Sequence, residues 1–87
     1  MSLKFEIGGT VILSGETLEF TGVDGDKRVK FIVTEEALKA LAGARGALSR
    51  QEKFKLYDRN KARLHSAAER LYQTQAKARI AIRFLDL

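Results

Sequence analysis

The spacing of apolar residues changes twice along this chain, and those changes limit the folds open to it. From Thr17 to Val33 apolar and polar residues alternate, from Thr34 to about Gln75 the apolar residues recur at helical spacing, and from Arg79 to Phe84 they alternate again. Side chains alternate between the faces of a strand and recur about every 3.6 residues on a helix. The pattern therefore predicts strands, then helices, then one returning strand. At 87 residues the chain makes one domain at most, spanning residues 1–87.

Leu3-Lys4-Phe5-Glu6-Ile7 alternates as well, and Gly8-Gly9 and Ser14-Gly15 punctuate the segment that follows. Val11-Ile12-Leu13 reads as a short edge strand or a tucked loop. Residues 17–33 read as a β-hairpin, because Asp24-Gly25-Asp26 separates two alternating runs and Asp-Gly suits a turn that needs positive φ. The second arm puts Val29, Phe31 and Val33 on one face, with Arg28 and Lys30 on the other.

Thr34 before Glu35-Glu36 is a helix start, since the hydroxyl caps a free backbone N–H and the carboxylates suit the positive end of the dipole. Ala37, Leu38 and Leu41 form that helix's stripe, and Gly43 is its stop. Ser49-Arg50-Gln51-Glu52 has the S-x-x-E form of a capping box. From there to about Gln75 one long helix is expected, with Phe54, Tyr57, Leu64, Ala68 and Leu71 on its apolar side. Ile80, Ile82 and Phe84 share a face of the last strand. The expected fold is α+β: an antiparallel sheet of three to four strands with two helices on one face, in the order β-β(-β)-α-α-β.

Charge is uneven along the chain. Residues 1–43 hold five Lys/Arg and seven Asp/Glu, a net of −2, and residues 44–87 hold eleven and four, a net of +7. A basic half suits phosphate or nucleic acid, or an acidic surface of its own fold or of a second copy. Lys55, Arg59, Arg63 and Arg70 follow one another at spacings of four, four and seven on the expected long helix, away from Phe54 and Ala68. Together with Lys61, which falls on the apolar side between Tyr57 and Leu64, they are the candidate contacts for an anion or nucleic acid. The competing reading is a solvated helix face. Arg79 and Arg83 extend the positive surface only if the outer face of the sheet is open.

Catalytic signatures are not found. The one histidine, His65, sits beside Ser66, but neighbouring helical residues diverge by about 100° and do not pair. It is expected as a surface helix histidine near Glu69. With no cysteine there is no disulfide, no thiolate and no sulfur-based zinc site. Asp24 and Asp26 resemble the start of a calcium loop, but Arg28 stands at the third ligand position, so they read as turn residues. No metal, cofactor or catalytic residue is expected. Gly8-Gly9 lacks the lysine and spacing of a P-loop. Gly43-Ala44-Arg45-Gly46 fits the G-x-x-G of KH domains, yet the capping box at Ser49 makes this loop longer than the KH turn. Phe5, Phe20, Phe31 and Phe84 take the apolar phase of their strands and are expected in the core, while Tyr57 and Tyr72 are expected to bury their rings and leave their hydroxyls wet. No apolar run approaches the roughly 18 residues of a membrane span, and the N-terminus lacks the apolar run of a signal peptide. A cytoplasmic protein with no membrane partner is expected.

Three stretches carry a resemblance: Leu18-Glu19-Phe20 with Asp24-Gly25; Val29-Lys30-Phe31-Ile32-Val33-Thr34-Glu35-Glu36-Ala37-Leu38; and Tyr57-x-x-Asn60-Lys61-x-x-Leu64-x-x-x-Ala68-x-Arg70-x-Tyr72. In order and spacing they resemble the small bacterial family called domain of unknown function 1488, over most of the chain from about Leu18 onward. Lys61 stands where that family has arginine, and Gly8 to Gly15 departs from its usual polar opening. The resemblance implies a bacterial source and a fold of this order, with no established activity. The expectation is a non-enzymatic binding or interaction domain whose partner is a macromolecule or a second copy of itself in a homodimer, with a nucleic-acid-binding module using the basic helix face as the alternative.

Overall fold

A computed structural model describes residues 3–5, 12–14, 17–43, 46 and 48–87, with residues 12–14 described as backbone. Its elements are β1 (Lys4–Phe5), β2 (Ile12–Ser14), β3 (Thr17–Asp24), β4 (Lys27–Val33), α1 (Glu35–Ala42), α2 (Arg50–Arg59), α3 (Lys61–Gln75), β5 (Arg79–Ile82) and a 3-10 turn (Phe84–Asp86). The segment read as edge strand or tucked loop is a strand over residues 12–14, and Gly8-Gly9 lies outside the described residues.

The expected hairpin is present. β3 and β4 pair antiparallel from Leu18↔Val33 to Asp24↔Lys27, and Gly25 sits in the turn at φ 64°, where a side chain would be strained. β1 and β2 both run antiparallel along the other edge of β3, through Phe5↔Gly22 and Leu13↔Leu18. β5 adds to β4 in parallel, with Phe31 opposite Ile80 and Val33 opposite Ile82. The sheet is thus mixed, which corrects the antiparallel expectation. Alternation assigns faces but carries no strand direction, and residues 34–78 are long enough for the crossover that parallel neighbours require.

Both expected helix starts hold. Thr34 Oγ1 accepts the Ala37 N–H at 3.2 Å, and Gly43 ends α1 at φ 64°. Ser49 and Glu52 exchange both bonds of a capping box at 3.2 Å each. The single long helix, however, is two, so the described residues hold three α-helices. Asn60 leaves helical geometry at φ −110° and ψ 17°, and its Nδ2 donates to the Leu56 carbonyl at 2.9 Å, the oxygen that its own backbone N–H also uses. A short amide side chain competing for backbone groups is the physical cause of the break.

The helices cover one face of the sheet. Leu18, Phe20, Val29, Phe31, Val33, Ile80 and Ile82 meet Ala37, Leu38, Leu56, Tyr57, Leu64, Ala67, Ala68 and Tyr72 in one core. Each leucine or isoleucine so buried contributes about 1.5–3 kcal/mol. Two expected core residues are outside it. Phe54 lies at the rim of α2, 36% exposed, because the buried face runs through Lys53, Leu56 and Tyr57. Lys53 takes an inward position on α2, 6% exposed. Phe84 is 52% exposed, because Asp86 Oδ2 accepts the Arg83 N–H at 2.9 Å and turns the chain out of the strand after Ile82.

Candidate functional site

Leu41 and Ala42 on α1, Leu48 before the capping box, and Leu56 on α2 line an open groove of about 400 Å3, rimmed by Glu52, Lys55, Arg59 and Asn60. A smaller hollow of about 140 Å3 shares Leu41 and Asn60 with it and adds Ala40, Arg63, Phe84 and Leu87. The two adjoin at Leu41 and Asn60, and together they are termed the trough beside α1, α2 and the start of α3. α1 ends at Ala42 and α2 begins at Arg50, so Leu41 and Leu48 reach the groove from before and after the connection and Leu56 from α2. Hydrogen bonds from Ser49, first through its side chain and then through its backbone, hold the Glu52 carboxyl below the usual range. That carboxylate is ionised and committed to its cap.

The five candidate cations do not form one row. Lys55 and Arg59 face the groove and Arg63 the smaller hollow, where its guanidinium also donates to the Leu87 carbonyl at 3.4 Å. Arg70 donates to the Asp86 carbonyl, bracing the 3-10 turn. Lys61 is exposed, not on the apolar side, and its ammonium stands 6.0 Å from the centre of the Tyr57 ring, within cation–π range.

His65 is not a surface residue. Its imidazole stacks on Phe5 with centroids 3.8 Å apart, sits 5.4 Å from the Phe20 ring, and bonds through Nε2 to the Tyr57 hydroxyl at 2.8 Å. Burial, and then Lys61 one turn earlier, lower its pKa; burial, and then Asp58, raise that of Tyr57. Both groups are neutral near pH 7, which suits a hydrogen bond inside an aromatic cluster. Both tyrosine rings are buried as expected and both hydroxyls are hydrogen-bonded: that of Tyr72 donates to Asp24 Oδ2 at 2.7 Å, a bond that raises its pKa. Asp24 thus ties the hairpin to α3, and Asp26 stays in the turn. Among the described residues no group of three or more His, Cys, Asp or Glu is placed to hold a metal ion. Of the G-x-x-G, Gly43 caps α1, while Ala44 and Arg45 lie outside the described residues.

Leu41 and Leu48 were not legible as a site. Leu48 directly before a capping box was the available signal, since an apolar residue there packs near the helix start.

The chain matches the family model described as "Protein of unknown function (DUF1488)" over residues 5–82. It belongs to that family. Neither a curated protein nor a solved structure matches it. No described helix is long and apolar enough to cross a membrane.

Proposed function

We propose that this is a binding domain and not an enzyme, and that its trough takes an acidic, leucine-bearing segment of a partner protein. The observation that carries the reading is a groove lined by the half-buried Leu41 and Leu48 and the buried Leu56 together with the exposed cations Lys55 and Arg59. Grooves between helices take amphipathic segments by their apolar side, with rim charges setting partner choice. Arg63 extends the positive rim, and Glu52 is held in its cap, so the complementary occupant is negative. The only histidine is bonded to Tyr57 and covered by Phe5, which leaves it poorly placed as a base.

Charge weighs against the homodimer in this role. Two copies meeting through the trough would set Lys55, Arg59 and Arg63 against themselves. Pairing along the edge of β5 is opposed by its four-residue length and by the charged Arg79 and Arg83 at its ends.

Fluorescence anisotropy with two labelled synthetic peptides tests the reading, one patterned with leucine and glutamate and one with leucine and lysine. Binding of the acidic peptide alone, weakened at least tenfold by Lys55→Glu with Arg59→Glu, is the expected result. Equal binding of both peptides, or of neither, contradicts it.

A further inference from the structure

The sheet face opposite the helices carries charge that the trough does not use. Strand register sets its rows: Lys4, Val23 and Arg28 in one, Thr21, Lys30 and Arg79 in the next, and Glu19, Ile32 and Ala81 in the third. Strands lie about 4.8 Å apart and like-facing residues about 6.7 Å apart along a strand. Lys4, Arg28, Lys30 and Arg79 therefore spring from a patch about 14 Å wide and two rows deep. All four are exposed. Among the described residues of this face Glu19 is the one carboxylate, and it lies 3.6 Å from Arg79. Around the hairpin end, Lys27 and Lys77 join Arg28 at a second open groove of about 400 Å3 beside Tyr72 and Ala78.

The uncharged residues decide between partners. A protein interface is anchored by aromatic or large apolar side chains in pockets, and a membrane-surface site inserts apolar side chains among the lipids. Here the apolar side chains are Val23 and Ile32, both half-buried, and the small Ala81. What remains is a flat polar surface with cations about one row apart, the chemistry that meets phosphates. No aromatic ring is among the described residues of this face, so bases find nothing to stack on.

We infer that the open sheet face binds the phosphate backbone of a nucleic acid without reading its sequence. This places the nucleic-acid surface on β1, β4 and β5, not on the helices, and it stands whether or not the trough takes a peptide.

The test is anisotropy of a labelled oligouridine and of an unrelated mixed-sequence RNA of equal length. Contact with three to four phosphates gives a single-strand salt slope of about −2 to −3, so affinity falls about 20- to 50-fold between roughly 50 and 200 mM salt. Lys30→Glu with Arg79→Glu weakens binding at least tenfold, while Lys55→Glu with Arg59→Glu retains it within about threefold. Circular dichroism confirms that each variant is folded; if the Glu pair is not, Lys30→Gln with Arg79→Gln takes its place with the same expected loss. Absence of RNA binding at the lower salt overturns the inference, as does binding lost only in the Lys55/Arg59 variant. Binding to phosphatidylserine vesicles in place of RNA overturns it too.

Discussion

The imidazole of His65 lies flat on the ring of Phe5, with planes 11° from parallel and centroids 3.8 Å apart. One residue of α3 thereby clamps the two-residue strand β1 against the sheet. The same imidazole is bonded to Tyr57 of α2, so three elements meet at one titratable ring.

Stability should therefore depend on pH through His65. Its folded pKa is lowered, so the native state takes up a proton less readily than the unfolded chain, whose histidine titrates near about 6.5. Above that pH the residue costs nothing; below it the fold loses stability progressively, until the folded imidazole is itself protonated. Tyr57, raised by burial, stays protonated throughout this window. Thermal unfolding should show a midpoint that falls between about pH 7 and pH 5 by more than in His65→Gln. Equal slopes for the two proteins would mean that His65 does not carry the effect.

Gly22 makes room for the aromatic cluster. A Cβ there would lie 3.0 Å from Phe31 Cε2 and 3.2 Å from Phe5 Cε1. Gly22→Ala should cost about 1–3 kcal/mol, as overpacking of a filled core does. Urea unfolding measures this, and an unchanged midpoint would show that the rings have slack.

How much of this was legible follows from the range of each interaction. The caps at Thr34 and Ser49, the stop at Gly43 and the Asp24-Gly25 turn depend on residues three or four apart, and the sequence states them directly. Which face each strand buries was also legible, since alternation needs only period two. The parallel docking of β5 was not, because direction depends on where three helices carry the chain. The break at Asn60 was hidden by an apolar pattern that continues in phase from Tyr57 to Leu64. Ranking Phe54 above Lys53 followed from hydrophobicity, whereas the buried position is set by the helix phase, and a lysine stem can fill it. As for the site, Lys55, Arg59 and Arg63 were recognisable as a set, while two of the three leucines that line the groove, Leu41 and Leu48, come from other segments. Arg70 was separated from them by Asp86, a partner that spacing along one helix does not reveal, whereas Tyr57 stands four residues before Lys61.

The 3-10 turn is held from outside by Arg63 and Arg70. Arg70→Ala should speed amide exchange at Asp86 and Leu87, whose N–H groups bond within the turn, and leave global stability within about 0.5 kcal/mol. Hydrogen exchange followed by NMR separates the two; a loss spread evenly over α3 and β5 would make Arg70 a support of the whole fold.

Size-exclusion chromatography with light scattering should give the monomer mass of 9.7 kDa at high concentration, since like charges face each other across any pairing through the trough. A mass about twice that, reduced to monomer by Arg59→Glu, would make the trough a homodimer interface.

The most direct measurement is methyl NMR of the leucines during titration with the acidic leucine peptide. A partner segment seated in the trough should shift Leu41, Leu48 and Leu56 together and leave Leu18, buried beneath the sheet, unmoved. Saturable shifts at those three leucines, abolished by Lys55→Glu with Arg59→Glu, are the expected result; shifts confined to other surfaces, or none, would contradict a binding domain that works through this groove.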